Sequence, residues 1–106
     1  MARFKAERLS YDKQDELLDA FCAVLCSLGT KPKVKDFLKD LLNRQERMML
    51  VRRLVVAERL AAGDTYRAIQ ERLHVGHGTI ARVERWLEFG RGGYKAAIQT
   101  KRSHRT

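Results

Sequence analysis

Apolar residues recur three and four positions apart along almost the whole chain. This spacing places them on one face of an α-helix, and the strict alternation typical of a half-buried β-strand is not found. The pattern predicts an all-α protein of about six helices, in one domain that spans residues 1–106. The sixth is a short helix over YKAAIQ, and a basic, frayed tail follows it over residues 100–106. Gly29 is placed to end the first helix, and Pro32 suits the first turn of the second, where its missing N–H is not needed.

The third helix, predicted over residues 44–62, is the longest. Asn43 followed three residues later by Glu46 is a capping-box pattern, in which each side chain accepts a hydrogen bond from the other residue's backbone N–H. Gly63 is placed to end this helix. The residues predicted to face inward are Met49, Leu50, Leu54, Ala57, Leu60 and Ala61.

Residues 65–88 carry the pattern of a helix-turn-helix motif, with one helix over about 66–73 and a second over about 78–88. In this motif the second helix lies across the first and presents its outer side to DNA. Gly76 and Gly78 are expected to let the turn bend and to let the start of the second helix approach a duplex closely. His74 occupies a turn position where the backbone is often left-handed, which His tolerates better than branched residues do. The apolar skeleton of the motif is Ile69, Leu73, Val75, Ile80 and Val83.

Two other interpretations of this turn have less support. A phosphate loop of the nucleotide-binding kind needs a preceding strand and usually a Lys followed by Ser or Thr, and the sequence shows neither. His74 and His77 could offer two imidazoles to a metal ion, but the sequence shows no third ligand. We therefore expect neither a metal site nor a cofactor.

The chain is strongly basic, with a net charge of +9 and a pI of about 10.1. The excess is concentrated in residues 65–106, where nine Lys and Arg face three Glu. A basic segment of this kind favours a polyanionic partner, and double-stranded DNA is the partner that we expect. A surface charge that only keeps the protein in solution is the alternative.

Cys22 and Cys26 lie four residues apart, which places both on one face of the first helix. Neither a second cysteine pair nor a neighbouring histidine accompanies them, so the pattern is weak for zinc. Both are expected to be buried thiols within the apolar stripe of that helix.

Other functional classes find little support in the sequence. It shows no apolar run near the ~20 residues of a membrane span, and its first residues lack the apolar centre of a secretion signal, so a cytoplasmic protein is expected. Neither a carboxylate pair in a plausible cleft nor a nucleophile with a base is recognisable. We therefore expect no catalytic residue and no enzymatic activity.

Residues 37–87 resemble the tryptophan repressor superfamily, and in particular its shorter YerC/YecD-like branch. They read FLKDLLNRQERMMLVRRLVVAERLAAGDTYRAIQERLHVGHGTIARVERWL. The resemblance extends over about residues 11–100, and its most specific parts are LLNRQER, the break at Gly63 and GTIARV. It implies an all-helical homodimer whose two chains interlace, so that the N-terminal helices of one chain pack on the other. It also implies a DNA-binding transcription regulator that acts as a repressor.

The resemblance further implies which residues contact DNA. The family reads bases from the start of its second motif helix, which corresponds here to His77, Gly78 and Thr79. Arg67, at the start of the first motif helix, matches an arginine that touches DNA in the repressor. The candidate DNA-binding residues are therefore Arg67, Gln70, Gly76, His77, Gly78, Thr79 and Arg82.

The effector site of the family is only partly matched. Two arginines clamp the ligand in the repressor, and both have counterparts in Arg53 and Arg82. Asn43 and Trp86 replace a Thr and a Ser of that site. The Trp86 indole could occupy the space that free tryptophan needs and stack on the Arg82 guanidinium, or it could simply be part of the core. We do not expect L-tryptophan to be the effector, but these residues could still hold another small carboxylate.

A second functional hypothesis stays open at this point. The chain could bind nucleic acid without selecting a sequence, as a nucleoid-associated or RNA-binding protein does. Gly76 and Gly78 favour this hypothesis, because glycine offers few groups that could read bases.

Overall fold

The computed structural model describes residues 5–103, which form a short 3-10 helix and six α-helices without any strand in that range. The prediction of an all-α fold is confirmed. The chain forms two compact units, divided between Leu42 and Asn43. The helices are α1 (Tyr11–Ser27), α2 (Lys31–Leu41), α3 (Arg44–Ala61), α4 (Tyr66–Leu73), α5 (His77–Phe89) and α6 (Gly93–Ser103).

Local signals set the ends of the helices in the first unit. The Ser10 hydroxyl accepts a hydrogen bond from the Lys13 N–H and caps α1, and the Thr30 hydroxyl does the same for α2. Gly29, at φ +78°, adopts the left-handed conformation after α1, as expected for a glycine that follows a helix. Pro32 lies in the first turn of α2, as predicted.

The apolar stripe of α1 lies largely uncovered in the single chain. Neither α1 nor α2 contains a buried residue, and Leu17 and Leu18 are half exposed. The prediction that Cys22 and Cys26 are buried thiols is therefore wrong for the single chain, because both are exposed. The reason is that two helices present too little surface to each other to enclose an apolar face.

The second unit contains the hydrophobic core, which α3, α4, α5 and α6 enclose together. The Asn43–Glu46 capping box is present at the start of α3, with both hydrogen bonds 2.9 Å long. Gly63, at φ +94°, follows the end of α3 as predicted. The buried residues are Val56, Ala57, Ile69, Ile80, Val83 and Ile98.

The predicted core was right for the helix-turn-helix and partly wrong for α3. Ile69, Ile80 and Val83 are buried, with Leu73 and Val75 packed against them. Within α3, Ala57 is buried and Leu54 and Leu60 are half-buried, whereas Ala61 is exposed.

One turn of α3, residues 48–51, consists of four consecutive apolar residues that are exposed. Met48, Met49, Leu50 and Val51 are each between 46% and 52% exposed. Consecutive helical residues point about 100° apart, so these four side chains together cover the whole circumference of the helix. The prediction that Met49 and Leu50 face inward is wrong for the single chain, since the core of their own unit begins further along α3.

The last helix is longer than predicted. The sequence predicted a short helix over YKAAIQ and a frayed tail over residues 100–106, but α6 continues to Ser103. Ile98 anchors α6 in the core, and the Lys101 ammonium lies 2.8 Å from a carboxylate oxygen of Glu58 on α3. Residues 104–106 of the predicted tail lie outside the described residues.

Candidate nucleic-acid interface

Helices α4 and α5 form the predicted helix-turn-helix. The Thr65 hydroxyl caps α4 by accepting a hydrogen bond from the Ala68 N–H. His74 ends α4 in the left-handed conformation, with φ 54° and ψ 43°, and its N–H donates to the Gln70 carbonyl at 2.9 Å. Val75 then packs against the core, and Gly76 is the N-cap residue of α5. The sharp change of direction therefore occurs at His74.

The glycines of the turn are not required by its backbone. Gly76 has an ordinary extended conformation, with φ −73° and ψ 153°, and Gly78 lies in the first turn of α5. A Cβ atom added at either position would meet no heavy atom within 4 Å. The prediction that these glycines let the turn bend is therefore wrong, because His74 supplies the left-handed residue. The close approach of a duplex to this end of α5 stays a prediction.

The start of α5 is open. Gly76 makes no side-chain capping hydrogen bond, and its carbonyl accepts from the N–H groups of Thr79 and Ile80. The first N–H groups of a helix lack partners within the helix, and they carry the positive end of its dipole. His77, Gly78 and Thr79 are exposed around this end. The arrangement suits the approach of an anionic group to the backbone.

The remaining predicted DNA-binding residues lie on both helices. Arg67 projects from α4 with a side chain that is 88% exposed, and its Nε atom lies 3.2 Å from a carboxylate oxygen of Glu71. A pair this exposed contributes little to stability, so it leaves the guanidinium able to exchange partners. Gln70 is half-buried on α4, and Arg82 is exposed on α5.

Tyr66 links the two helices, and the sequence analysis missed it. Its hydroxyl donates a 2.6 Å hydrogen bond to the Glu84 carboxylate on α5. Its ring centroid lies 4.9 Å from that of His77, with the two planes inclined by 57°. The hydrogen bond to Glu84 raises the pKa of Tyr66, and burial and the negative charges of Glu84 and Glu88 act in the same direction. Tyr66 and Glu84 are 18 positions apart and lie on different helices. Their contact could not be predicted from spacing within one helix.

A cavity of about 480 Å³ lies beside the start of α5. It brings together both arginines of the predicted effector site, Arg53 and Arg82, with Trp86 in the wall. The alternative that Trp86 is simply core is wrong for the single chain, where it is 50% exposed. Asn43 is not among the lining residues and acts as the N-cap of α3. The full lining is Met49, Arg53, Gly78, Thr79, Arg82, Val83, Trp86 and Tyr94.

The start of α6 forms one side of this cavity, through Tyr94. A Cβ atom at Gly90 would collide with the backbone carbonyl oxygen of Trp86, so this position accepts only glycine. Gly90 is the C-cap residue of α5, and Tyr94, in the first turn of α6, lines the cavity. Tyr94 and Met49 had no recognisable signal in the sequence.

The described part of the chain offers neither a clustered metal site nor a membrane-spanning helix. Within residues 5–103, no group of three or more His, Cys, Asp and Glu side chains is arranged to hold a metal ion. The same range contains no helix with the length and apolar character needed to cross a membrane.

Comparisons with known proteins agree with one another. A sequence model of the family described as Trp repressor protein matches residues 16–102. YerC from Bacillus subtilis (strain 168) is 33% identical over 81 residues, which cover 76% of this chain and 78% of YerC. The crystal structure of a "putative Trp repressor" from Staphylococcus aureus is similar with a TM-score of 0.72 and 29% identity, over 94% of this chain and 96% of that one.

Proposed function

The chain belongs to the Trp repressor protein family, and on that premise we propose that it is a cytoplasmic, homodimeric repressor that reads specific double-stranded DNA. In this proposal α5 enters the major groove with its first turn toward the bases. The observation that carries the proposal is the open space around Gly76 and Gly78, two positions where the fold itself would accept a side chain.

The missing side chains favour contact with a duplex for a physical reason. Glycine is a poorer helix former than alanine, so Gly78 is not the residue that the first turn of α5 alone would favour. A duplex that approaches the first turn of α5 would use the space, because its phosphates and base edges could then reach the backbone N–H groups.

Side chains around this turn supply the remaining contacts in the proposal. Arg67 offers a largely exposed guanidinium, and a bidentate pair with guanine would contribute about 1–3 kcal/mol of discrimination. Thr79 and His77 offer hydrogen-bonding groups at the start of α5. Gln70 and Arg82 complete the set, and other Lys and Arg residues would neutralise phosphates.

The homodimer is supported by the apolar surface that a single chain leaves uncovered. Residues 48–51 of α3 form one turn of exposed apolar side chains, and a contiguous apolar patch of this kind is typical of a surface that another protein chain covers. The exposed face of α1 offers a matching apolar surface. A second copy could therefore cover both, and its own α5 would then reach a second half-site about one helical turn away along the DNA.

We also propose that the cavity beside α5 binds a small carboxylate effector. Arg53 and Arg82 present two guanidiniums, and the lining contains no acidic residue that would neutralise them. Trp86 already places an indole in the wall of the cavity with the two guanidiniums, and we therefore propose a small carboxylate other than tryptophan.

Trp86 makes this effector proposal easy to test, because it is the protein's one tryptophan. Titration with succinate is expected to change its fluorescence in a saturable way, since the ligand would sit against the indole. Arg53→Gln should weaken the response about tenfold, the factor for a lost charged contact of about 1.4 kcal/mol. Arg52→Gln, a neighbouring exposed arginine outside the cavity, is the matched control. An identical response in both variants would contradict the proposal.

The second candidate function is nucleic-acid binding without sequence selection. The same observation at Gly76 and Gly78 favours it, because a turn with few side chains has few groups to read bases. Selection of bound sequences from a random duplex pool distinguishes the two candidates. We expect a palindromic consensus, which mirrors a two-fold protein. A bound pool without enrichment would support the second candidate and overturn the first.

A further inference from the structure

We propose that Tyr66 is a positioning residue that holds the His77 side chain ready for DNA, with Glu84 fixing the tyrosine in turn. This inference rests on the proposed function, because it requires that the first turn of α5 meets DNA. Tyr66 itself needs no contact with the duplex in this role.

His77 lacks support from its own neighbours. It lies between Gly76 and Gly78, so neither adjacent residue has a side chain that could restrict the imidazole. One turn further along α5, Ile80 is buried in the core and Ala81 offers a single methyl group. An exposed side chain in these surroundings would lose rotamer entropy on binding DNA. The contact with the Tyr66 ring, at 4.9 Å between centroids, reduces that loss.

Tyr66 is held at both ends. Its ring packs against the hydrophobic core, and its hydroxyl donates to Glu84 at 2.6 Å. His77 and Glu84 are seven residues apart on α5, so they lie on the same face two turns from each other. Tyr66 therefore spans two turns of α5 from the start of α4. An aromatic side chain fixed in this way is a rigid support for the imidazole.

A double-mutant cycle tests the role directly, with the affinity for a duplex chosen by the selection experiment as the measurement. Tyr66→Leu keeps apolar bulk against the core but removes the ring and the hydroxyl. It is expected to weaken binding roughly tenfold when His77 is present, and less than about twofold in the His77→Ala background. A residue that only stabilised the fold would weaken binding equally in both backgrounds.

Two conservative variants separate the ring from its hydroxyl. Tyr66→Phe retains the ring contact with His77 and should recover most of the affinity that Tyr66→Leu loses. Glu84→Gln should resemble Tyr66→Phe, because both weaken the link to α5 and leave the ring in place. Equal losses for Tyr66→Phe and Tyr66→Leu would overturn the assignment of the ring as the support.

Failure of this inference can be told apart from failure of the proposed function. One outcome is that the parent protein binds the duplex while Tyr66→Leu weakens the affinity by the same factor with and without His77. In that case the positioning role is wrong, but the proposed DNA interface is not contradicted. If His77→Ala binds as tightly as the parent, the positioning role is also wrong. If the parent binds no duplex, the proposed function fails, and this inference fails with it.

Discussion

Gly78→Glu is expected to abolish binding to the selected duplex while the protein keeps its helical fold. The added side chain meets open space, and a carboxylate in the first turn of a helix interacts favourably with the helix dipole. The same carboxylate would lie between α5 and the phosphates, where like charges repel. Fluorescence anisotropy with a labelled duplex measures the loss, and circular dichroism checks the helical content.

Gly93→Glu is the matched control for this prediction. Gly93 is the first residue of α6, and a Cβ atom there also meets nothing within 4 Å. Both variants add one negative charge at the start of a helix. Gly93→Glu should therefore weaken DNA binding only through the long-range repulsion between that charge and the phosphates. If Gly78→Glu binds the duplex as tightly as Gly93→Glu does, α5 is not at the DNA and the proposed interface is wrong.

Leu50→Lys is expected to convert a dimer into a monomer. The parent should sediment at low micromolar concentration with about twice the mass of the 12.3 kDa chain. In the proposed dimer the second copy covers the side chain of Leu50. A lysine there would bury an unpaired ammonium, which reduces the free energy of dimerisation by several kcal/mol. The two-fold symmetry places this change twice in each dimer. Sedimentation should then report the mass of a single chain, and affinity for a two-half-site duplex should fall with it.

Gln45→Lys adds the same charge to the same helix without touching the apolar surface. Gln45 is exposed on the first turn of α3, so this variant should sediment like the parent. A parent protein that sediments as a monomer, or a Leu50→Lys variant that remains dimeric, would show that residues 48–51 of α3 are not an interface between copies.

Local patterns were sufficient to predict the helices and most of their ends, although not the end of α6. The capping box at Asn43 and Glu46, the break at Gly63 and the proline in α2 each act within a few residues, so their effect is visible in the sequence. The buried face of the helix-turn-helix was equally predictable, because apolar residues repeat at helical spacing within each helix, as Ile80 and Val83 do in α5.

Features that depend on distant residues could not be predicted in the same way. Helical spacing shows which side chains are apolar, but it does not show whether their own chain covers them, and so Met49 and Leu50 were placed inside. The contact of Tyr66 with Glu84 joins two helices, and its partners are set by how the helices pack. The cavity likewise depends on how α3, α5 and α6 pack, because its lining residues come from all three helices.

The left-handed conformation of His74 affects how such motifs are found in other sequences. A turn that needs one residue at positive φ is usually recognised by a glycine, because glycine adopts that conformation without strain. Here a histidine does so at φ 54°, while the glycines of the segment lie at positions with ordinary backbone angles. A pattern search that demands glycine at the turn position would therefore reject this chain, and one that accepts any nearby glycine would align it two residues out of register. The spacing of Ile69, Leu73, Val75, Ile80 and Val83 is the more dependable signature of the motif.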